Sequence, residues 1–180
     1  MKAVIITDNG VQDEEFFYPY YRLQEEHFQV DVVTRSQSLE VCRGKYGIPI
    51  TPTIRPSETD TRRYDLVVVP GGWEAPERLR QEGWVLRFIA YMNKERKVIA
   101  AICHGPAVLI SAGVVKGKQM TCYKGMKDDL VNAGALYRDV GVVRDDNIIT
   151  SPHYRNPPDF MRETLAECGR RYQLGSLVLA

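Results

Sequence analysis

The stretch Val98-Ile-Ala-Ala-Ile-Cys-His-Gly-Pro-Ala-Val-Leu-Ile110 constrains the fold of this chain more than any other. It opens on an apolar, partly β-branched run, residues 98–102, of the kind that forms a strand buried on both faces of a parallel sheet. It closes on a second apolar run, residues 107–112, that suits a helix stopped at Gly113. Almost nothing separates the two. Cys103 is therefore predicted to sit on a sharp strand-to-helix turn, a nucleophile elbow, with the small residues Ala101 and Gly105 beside it. Such a turn holds the sulfur at the carboxyl end of a strand, where open α/β sheets place their ligands. The following helix aims its N-terminus at the sulfur, which predicts a Cys103 shifted toward thiolate. A free cysteine is commonly just a small buried hydrophobe. The turn, the helix start and the adjacent His104 argue for a reactive one.

The 180 residues suffice for one domain with a full core and are few for two, so residues 1–180 read as a single domain. With 24 Lys and Arg against 23 Asp and Glu, the formal net charge is +1. No face is obviously basic, so nucleic-acid binding has no electrostatic footprint. No apolar run approaches the roughly 20 residues that span a bilayer. The start of the chain, residues 1–7, reads as a strand and not as a signal peptide. Cys42, Cys103, Cys122 and Cys168 lie far apart, with no pair at CxxC spacing. That pattern predicts reduced thiols in a cytoplasmic protein, with no zinc site and no cofactor.

Along the chain, residues 3–7 form a short apolar strand, and Asp8-Asn9-Gly10 turns it. Asp13 can cap a helix over residues 14–26, with Pro19 predicted to kink it or mark its true start. Residues 29–34 alternate as a second strand, and residues 41–54 read as a β-hairpin excursion. Residues 64–69 are another buried strand. Pro70-Gly71-Gly72 stops it in a tight turn that exposes backbone N–H groups. A helix over residues 84–93 precedes the central strand. A strand over 118–123, a helix over 126–133, short strands within 136–150 and a last helix over 156–173 follow. Strands alternating with helices make an α/β sandwich around a mostly parallel sheet. Two strand ends, Gly71-Gly72 and Cys103-His104, then converge. The N–H groups of Gly72 and His104 would form an oxyanion hole beside the sulfur, as nucleophilic catalysis at a carbonyl requires.

These residues carry a resemblance that covers nearly the whole chain. Residues 1–30, Val67-Val-Val-Pro-Gly-Gly72, Ala75-Pro-Glu-Arg78, Ile102-Cys-His-Gly-Pro-Ala107, Ile110-Ser-Ala-Gly113 and Lys127-Asp-Asp-Leu130 resemble the PfpI family, the intracellular-protease branch of the ThiJ/PfpI superfamily. The resemblance implies a flavodoxin-like three-layer sandwich, similar to class-I glutamine amidotransferases, assembled as dimers or hexamers. It implies Cys103 as nucleophile, His104 as its catalytic partner and Glu15 as the pocket glutamate. A first-turn helix glutamate also suits the helix dipole without any function. The family glutamate that reaches the histidine from a neighbouring subunit corresponds to Glu77. An extra residue before Ala75 keeps Glu74 as a competitor. Tyr123 matches a tyrosine near the family's cysteine, although packing explains it equally well. The Ser151-Pro-His-Tyr-Arg155 segment departs from the family's shorter one and alters the pocket rim.

The reaction expected from the resemblance is cysteine-dependent chemistry of glyoxalase or deglycase type, on methylglyoxal or its adducts, in stress protection. Intracellular peptidase activity is the alternative. A non-enzymatic redox sensor or holdase, with Cys103 oxidised to sulfinate, is the rival from another class. The amidotransferase reading lacks a late His-x-Glu. The expected partners are a small carbonyl or peptide substrate and further copies of the same chain, with no membrane and no nucleic acid.

Overall fold

The sheet follows from four runs of residues too apolar to face water. The computed structural model describes residues 1–172. β1 (Lys2–Ile6), β5 (Leu66–Val69), β6 (Val98–Ile102) and β10 (Ile148–Ser151) are almost wholly buried. They lie at the centre of a six-stranded sheet completed by β2 (Gln29–Val33) and β9 (Val143–Asp145), in the order β2-β1-β5-β6-β10-β9. All pairings are parallel except that of β9 with β10. Burial on both faces explains why these strands read as continuous apolar runs and not as alternating ones.

Alternate side chains of each central strand face opposite ways. Ala3, Ile5, Leu66, Val68, Ala100 and Ile102 pack beneath α1 (Asp13–Glu25) and α6 (Pro157–Tyr172). Val4, Ile6, Val67, Val69, Ile99 and Ala101 pack on the other face, beneath α3 (Gly83–Lys94), α4 (Pro106–Ser111) and α5 (Lys127–Asn132). α2 (Glu74–Leu79) bridges the faces, Ala75 joining the first core and Leu79 the second. The expected flavodoxin-like three-layer sandwich is the observed fold.

Several boundaries differ from expectation for local reasons. Asp13 is the first residue of α1 and not its cap. Its Oδ2 accepts the Tyr46 N–H at 2.9 Å and so pins the hairpin of β3 (Cys42–Arg43) and β4 (Pro49–Ile50) to the helix start. Pro19 lies inside α1 and is buried. It has no N–H to offer the Glu15 carbonyl four residues earlier, yet the helix continues through it. The strand expected over residues 118–123 shrinks to β7 (Gln119–Met120), which pairs with β8 (Leu136–Tyr137) in a sheet of its own. The expected end of the last helix, Gln173, lies outside the described residues.

The strand order reverses between β1 and β5, and this switch point is where such sheets open a crevice at their carboxyl ends. Three turns meet there: those after β1, β5 and β6. Gly105 makes the meeting close enough. A Cβ at Gly105 would strike the Val69 carbonyl oxygen and lie 2.9 Å from that of Ile102. Gly105→Ala should therefore destabilise the fold by about 1–3 kcal/mol through overpacking, read as a melting temperature lowered by several degrees. An unchanged melting temperature would contradict this packing.

Candidate active site

Cys103 leaves β6 with φ at 61°, the left-handed region that a non-glycine residue rarely occupies. The turn is fixed from three sides. The Cys103 N–H donates to Ser151 O at 2.8 Å, the Gly105 N–H to Ile102 O at 2.8 Å, and the Tyr123 N–H to Cys103 O at 2.9 Å. These bonds hold the strained residue in place and bury its side chain to 6 % exposure. The His104 ring turns back over the sulfur, with Nδ1 3.2 Å from Sγ.

The turn after β5 closes against this one. Gly72 has φ at 82°, and its N–H, with that of His104, bears on the Cys103 sulfur. Gly71 lies beneath. A Cβ there would stand 2.5 Å from Glu15 Oε2, 2.7 Å from Cys103 Cβ and 2.8 Å from the His104 nitrogen. Only a bare backbone lets these three groups converge. Glu15 reaches the same point from α1. It is fully buried, and its Oε2 accepts the Gly71 N–H at 2.9 Å. Its Oε1 has no hydrogen-bond partner among the described residues, and the carboxyl interacts with the Cys103 thiol.

Burial decides the charges. It pushes the Glu15 carboxyl up to about 8, against contrary pulls from Cys103 and the Gly71 N–H. Burial also raises the Cys103 thiol above its ordinary range, and the Glu15 charge adds to the effect. The expected thiolate is thus reversed. α4 is only six residues long and begins three residues past the sulfur, so its dipole gives little to set against desolvation. Desolvation holds His104 below its usual range as well, opposed by the charge of Glu77. At neutral pH the resting site holds a thiol, a neutral imidazole and a protonated carboxyl.

The other expected residues are placed as follows. Glu77 pairs with Arg80 at 3.1 Å, and its charge reaches His104 without a hydrogen bond to it. Glu74 pairs with Arg78 at 2.6 Å and packs on Gly10. Tyr123 stacks on the His104 ring with centroids 4.6 Å apart, and Trp73 meets that ring edge-on at 6.1 Å. Cys122 is buried in the opposite core. Sequence reasoning missed Lys45. The hairpin turn brings it to the site through its N–H bond to Val11 O at 2.8 Å, and its charge acts on both Glu15 and His104. The glycines flanking Lys45-Tyr46 were the only available signal.

A parallel sandwich with a buried cysteine on a strained strand-to-helix turn, faced by a carboxyl and a histidine, defines a class of protein. The family described as DJ-1/PfpI matches residues 1–167, and the chain belongs to it. The deglycase PfpI of Pyrococcus furiosus is 39% identical over 163 residues, covering 91% of this chain and 96% of that one. An uncharacterized protein of Archaeoglobus fulgidus is 42% identical over 165 residues, covering 92% and 96%. Among solved structures, a two-domain protein of Anabaena variabilis with DJ-1/ThiJ/PfpI-like and ferritin-like domains superposes with a TM-score of 0.90 at 33% identity. The match covers 97% of this chain and 50% of that one, so this chain spans half of the two-domain protein.

The raised Glu15 carboxyl has a consequence for stability. Unfolded, Glu15 ionises near its ordinary value of about 4.3; folded, it keeps its proton up to about 8. Between these values the native state binds more protons than the unfolded one, so its stability falls as pH rises through that window. Glu15→Gln, neutral at every pH and still able to accept from Gly71, should flatten this decline and melt higher than wild type near pH 8. A variant that melts lower with an unaltered pH slope would show that Glu15 is ionised in the native protein.

Proposed function

We propose that this chain is a cysteine-dependent enzyme that acts on methylglyoxal or on its adducts, by glyoxalase or deglycase chemistry, in protection against reactive carbonyls. The observation that carries the reading is the Glu15 carboxyl buried against the Cys103 sulfur, where desolvation pushes it up to about 8. Converting a dicarbonyl to a hydroxy acid requires a proton to move between adjacent carbons. An acid–base group with its pKa near working pH does this best. The deglycase name of the Pyrococcus furiosus relative supports the same chemistry.

The steps balance with one proton on each group. The Cys103 sulfur adds to the aldehyde carbon, and its proton passes to His104 Nδ1, 3.2 Å away. The carbonyl oxygen, facing the Gly72 and His104 N–H groups, takes the Glu15 proton to give a hemithioacetal. The Glu15 carboxylate then removes the hydrogen of that carbon, while protonated His104 protonates the neighbouring oxygen, giving an enediol. Glu15 returns the proton to the second carbon and His104 takes the hydroxyl proton, which leaves a thioester. Water cleaves it, giving one proton to Glu15, while His104 returns the other to the departing sulfur. The product is lactic acid, the sum of methylglyoxal and water.

The reading includes an assembly of like chains. Trp73 is 70% exposed beside His104, and Trp is favoured at protein interfaces. Glu77, whose charge reaches His104 within one chain, is the candidate acid to be offered across such an interface to a second copy. Glu74, already tied to Arg78, is the weaker candidate.

Steady-state assays on methylglyoxal and on a fluorogenic peptide, side by side, test the reading. Methylglyoxal should yield lactate. Cys103→Ser should remove essentially all turnover with the fold intact, and Glu15→Gln should lower it by about 10²–10⁴-fold. Peptide cleavage without lactate would favour a peptidase. No turnover of either would favour a redox or holding role. Light scattering that finds a fully active monomer would remove the shared interface.

A further inference from the structure

The hairpin of β3 and β4 is zipped onto the turn after β1. The Arg43 N–H donates to Asn9 Oδ1 at 2.8 Å, the Gly10 N–H to Arg43 O at 2.8 Å, the Lys45 N–H to Val11 O at 2.8 Å and the Tyr46 N–H to Asp13 Oδ2 at 2.9 Å. The turn after β1 is laid in its turn on the one after β5. The Gln12 N–H donates to Gly71 O at 3.4 Å, and a Cβ at Gly72 would stand 2.5 Å from Gly10 O. Since the Gly71 N–H donates to Glu15, one run of contacts leads from Lys45 through Val11, Gln12 and Gly71 to the Glu15 carboxyl. Lys45 thus stands on the rim of the site, on a backbone held by its neighbours.

A lysine is commonly only a solvated surface charge. Lys45 differs in its place and in its lack of a partner. Arg78 and Arg80, on α2 across the site, are taken by Glu74 and Glu77, whereas Lys45 makes no ion pair among the described residues. It is exposed, and its ammonium lies 5.9 Å from the centre of the Tyr46 ring, a contact that leaves its charge uncompensated. That charge acts on both Glu15 and His104, the two groups that meet the sulfur. The neighbouring acids act on one each: Glu14, which accepts from Gln12 Nε2 at 2.6 Å, on Glu15, and Glu77 on His104. A substrate held at the sulfur therefore sits in the field of Lys45, which attracts an anionic substituent through space without direct contact.

We propose that Lys45 is a specificity-determining residue, whose unpaired ammonium at the rim of the site makes the enzyme prefer dicarbonyls that carry a carboxylate on the arm beyond the reacting carbons. This inference rests on the dicarbonyl reading above and narrows its substrate class. The chemistry is unchanged: γ,δ-dioxovalerate and water give α-hydroxyglutarate by the same balance that gives lactate from methylglyoxal. Lys45 acts on the charge of the arm and not on the reacting carbons.

The test compares kcat/KM for γ,δ-dioxovalerate and for its methyl ester, which has nearly the same shape and no charge. Lys45 also acts on Glu15 and His104, and the ratio of the two substrates removes that common effect. Wild type should favour the acid over the ester, and Lys45→Met should lower the ratio by about fivefold, mainly through KM for the acid. Lys45→Arg, which keeps the charge, should keep the preference. In wild type the ratio should fall toward one as ionic strength rises from about 0.01 to about 1 M, over which the screening length drops from about 30 to about 3 Å. A ratio that Lys45→Met leaves unchanged, or a wild type that prefers the ester, overturns the proposal. A second measurement stands apart from catalysis: NMR titration of Cys103→Ala protein with α-hydroxyglutarate and with the methyl ester of its far carboxylate. The diacid should bind about fivefold more tightly, and adding Lys45→Met should remove the advantage. If neither dicarbonyl is turned over, the proposed function fails while this titration still decides the role of Lys45. Equal binding of the diacid and its ester overturns it.

Discussion

The site depends on a carboxyl buried against a glycine. Glu15 has no access to water and accepts one backbone hydrogen bond, from Gly71. A buried carboxylate with one donor is far more costly than a carboxylic acid in the same place, so the proton stays. Gly71 makes the burial possible, because a side chain there would strike Glu15, Cys103 and His104 together. The turn after β5 is thus the floor on which the other two turns rest.

From that constraint follows a neutral resting site. Thiol, imidazole and carboxyl lie close together with no net charge, and each is kept neutral by desolvation before any other cause. In the proposed reaction, charge develops only when the sulfur attacks, and the groups that would meet it are already in place. His104 Nδ1 is 3.2 Å from the sulfur, and the N–H groups of Gly72 and His104 bear on it. Preorganised donors of this kind act without reorganisation at the moment of reaction. The positive φ of Cys103 belongs to the same arrangement, since it takes the sulfur off the strand and into the convergence of the three turns.

Much of this was legible in the amino-acid sequence, for identifiable reasons. The apolar run before Cys103 could only be a strand buried on both faces, and Gly105-Pro106 left no room for a loop. The Gly71-Gly72 pair announced a turn of close approach. What was not legible depends on depth and on distant contacts. The charge of Cys103 was misjudged because a sequence shows that a helix follows but not how far the sulfur lies from water. Asp13 looked like a cap because its partner, the Tyr46 N–H, lies 33 residues away. Lys45 was missed because its importance comes from where the hairpin folds back, which no local pattern encodes.

The central claim is that Glu15 holds its proton at neutral pH in the folded protein. Carbon-13 NMR of the Glu15 side-chain carboxyl, assigned by comparison with Glu15→Gln and followed from pH 4 to pH 10, measures this directly. The account requires a single titration with its midpoint near 8, well above the ordinary value of about 4.3. A midpoint between about 4 and 5, the range of an ordinary glutamate, would contradict it.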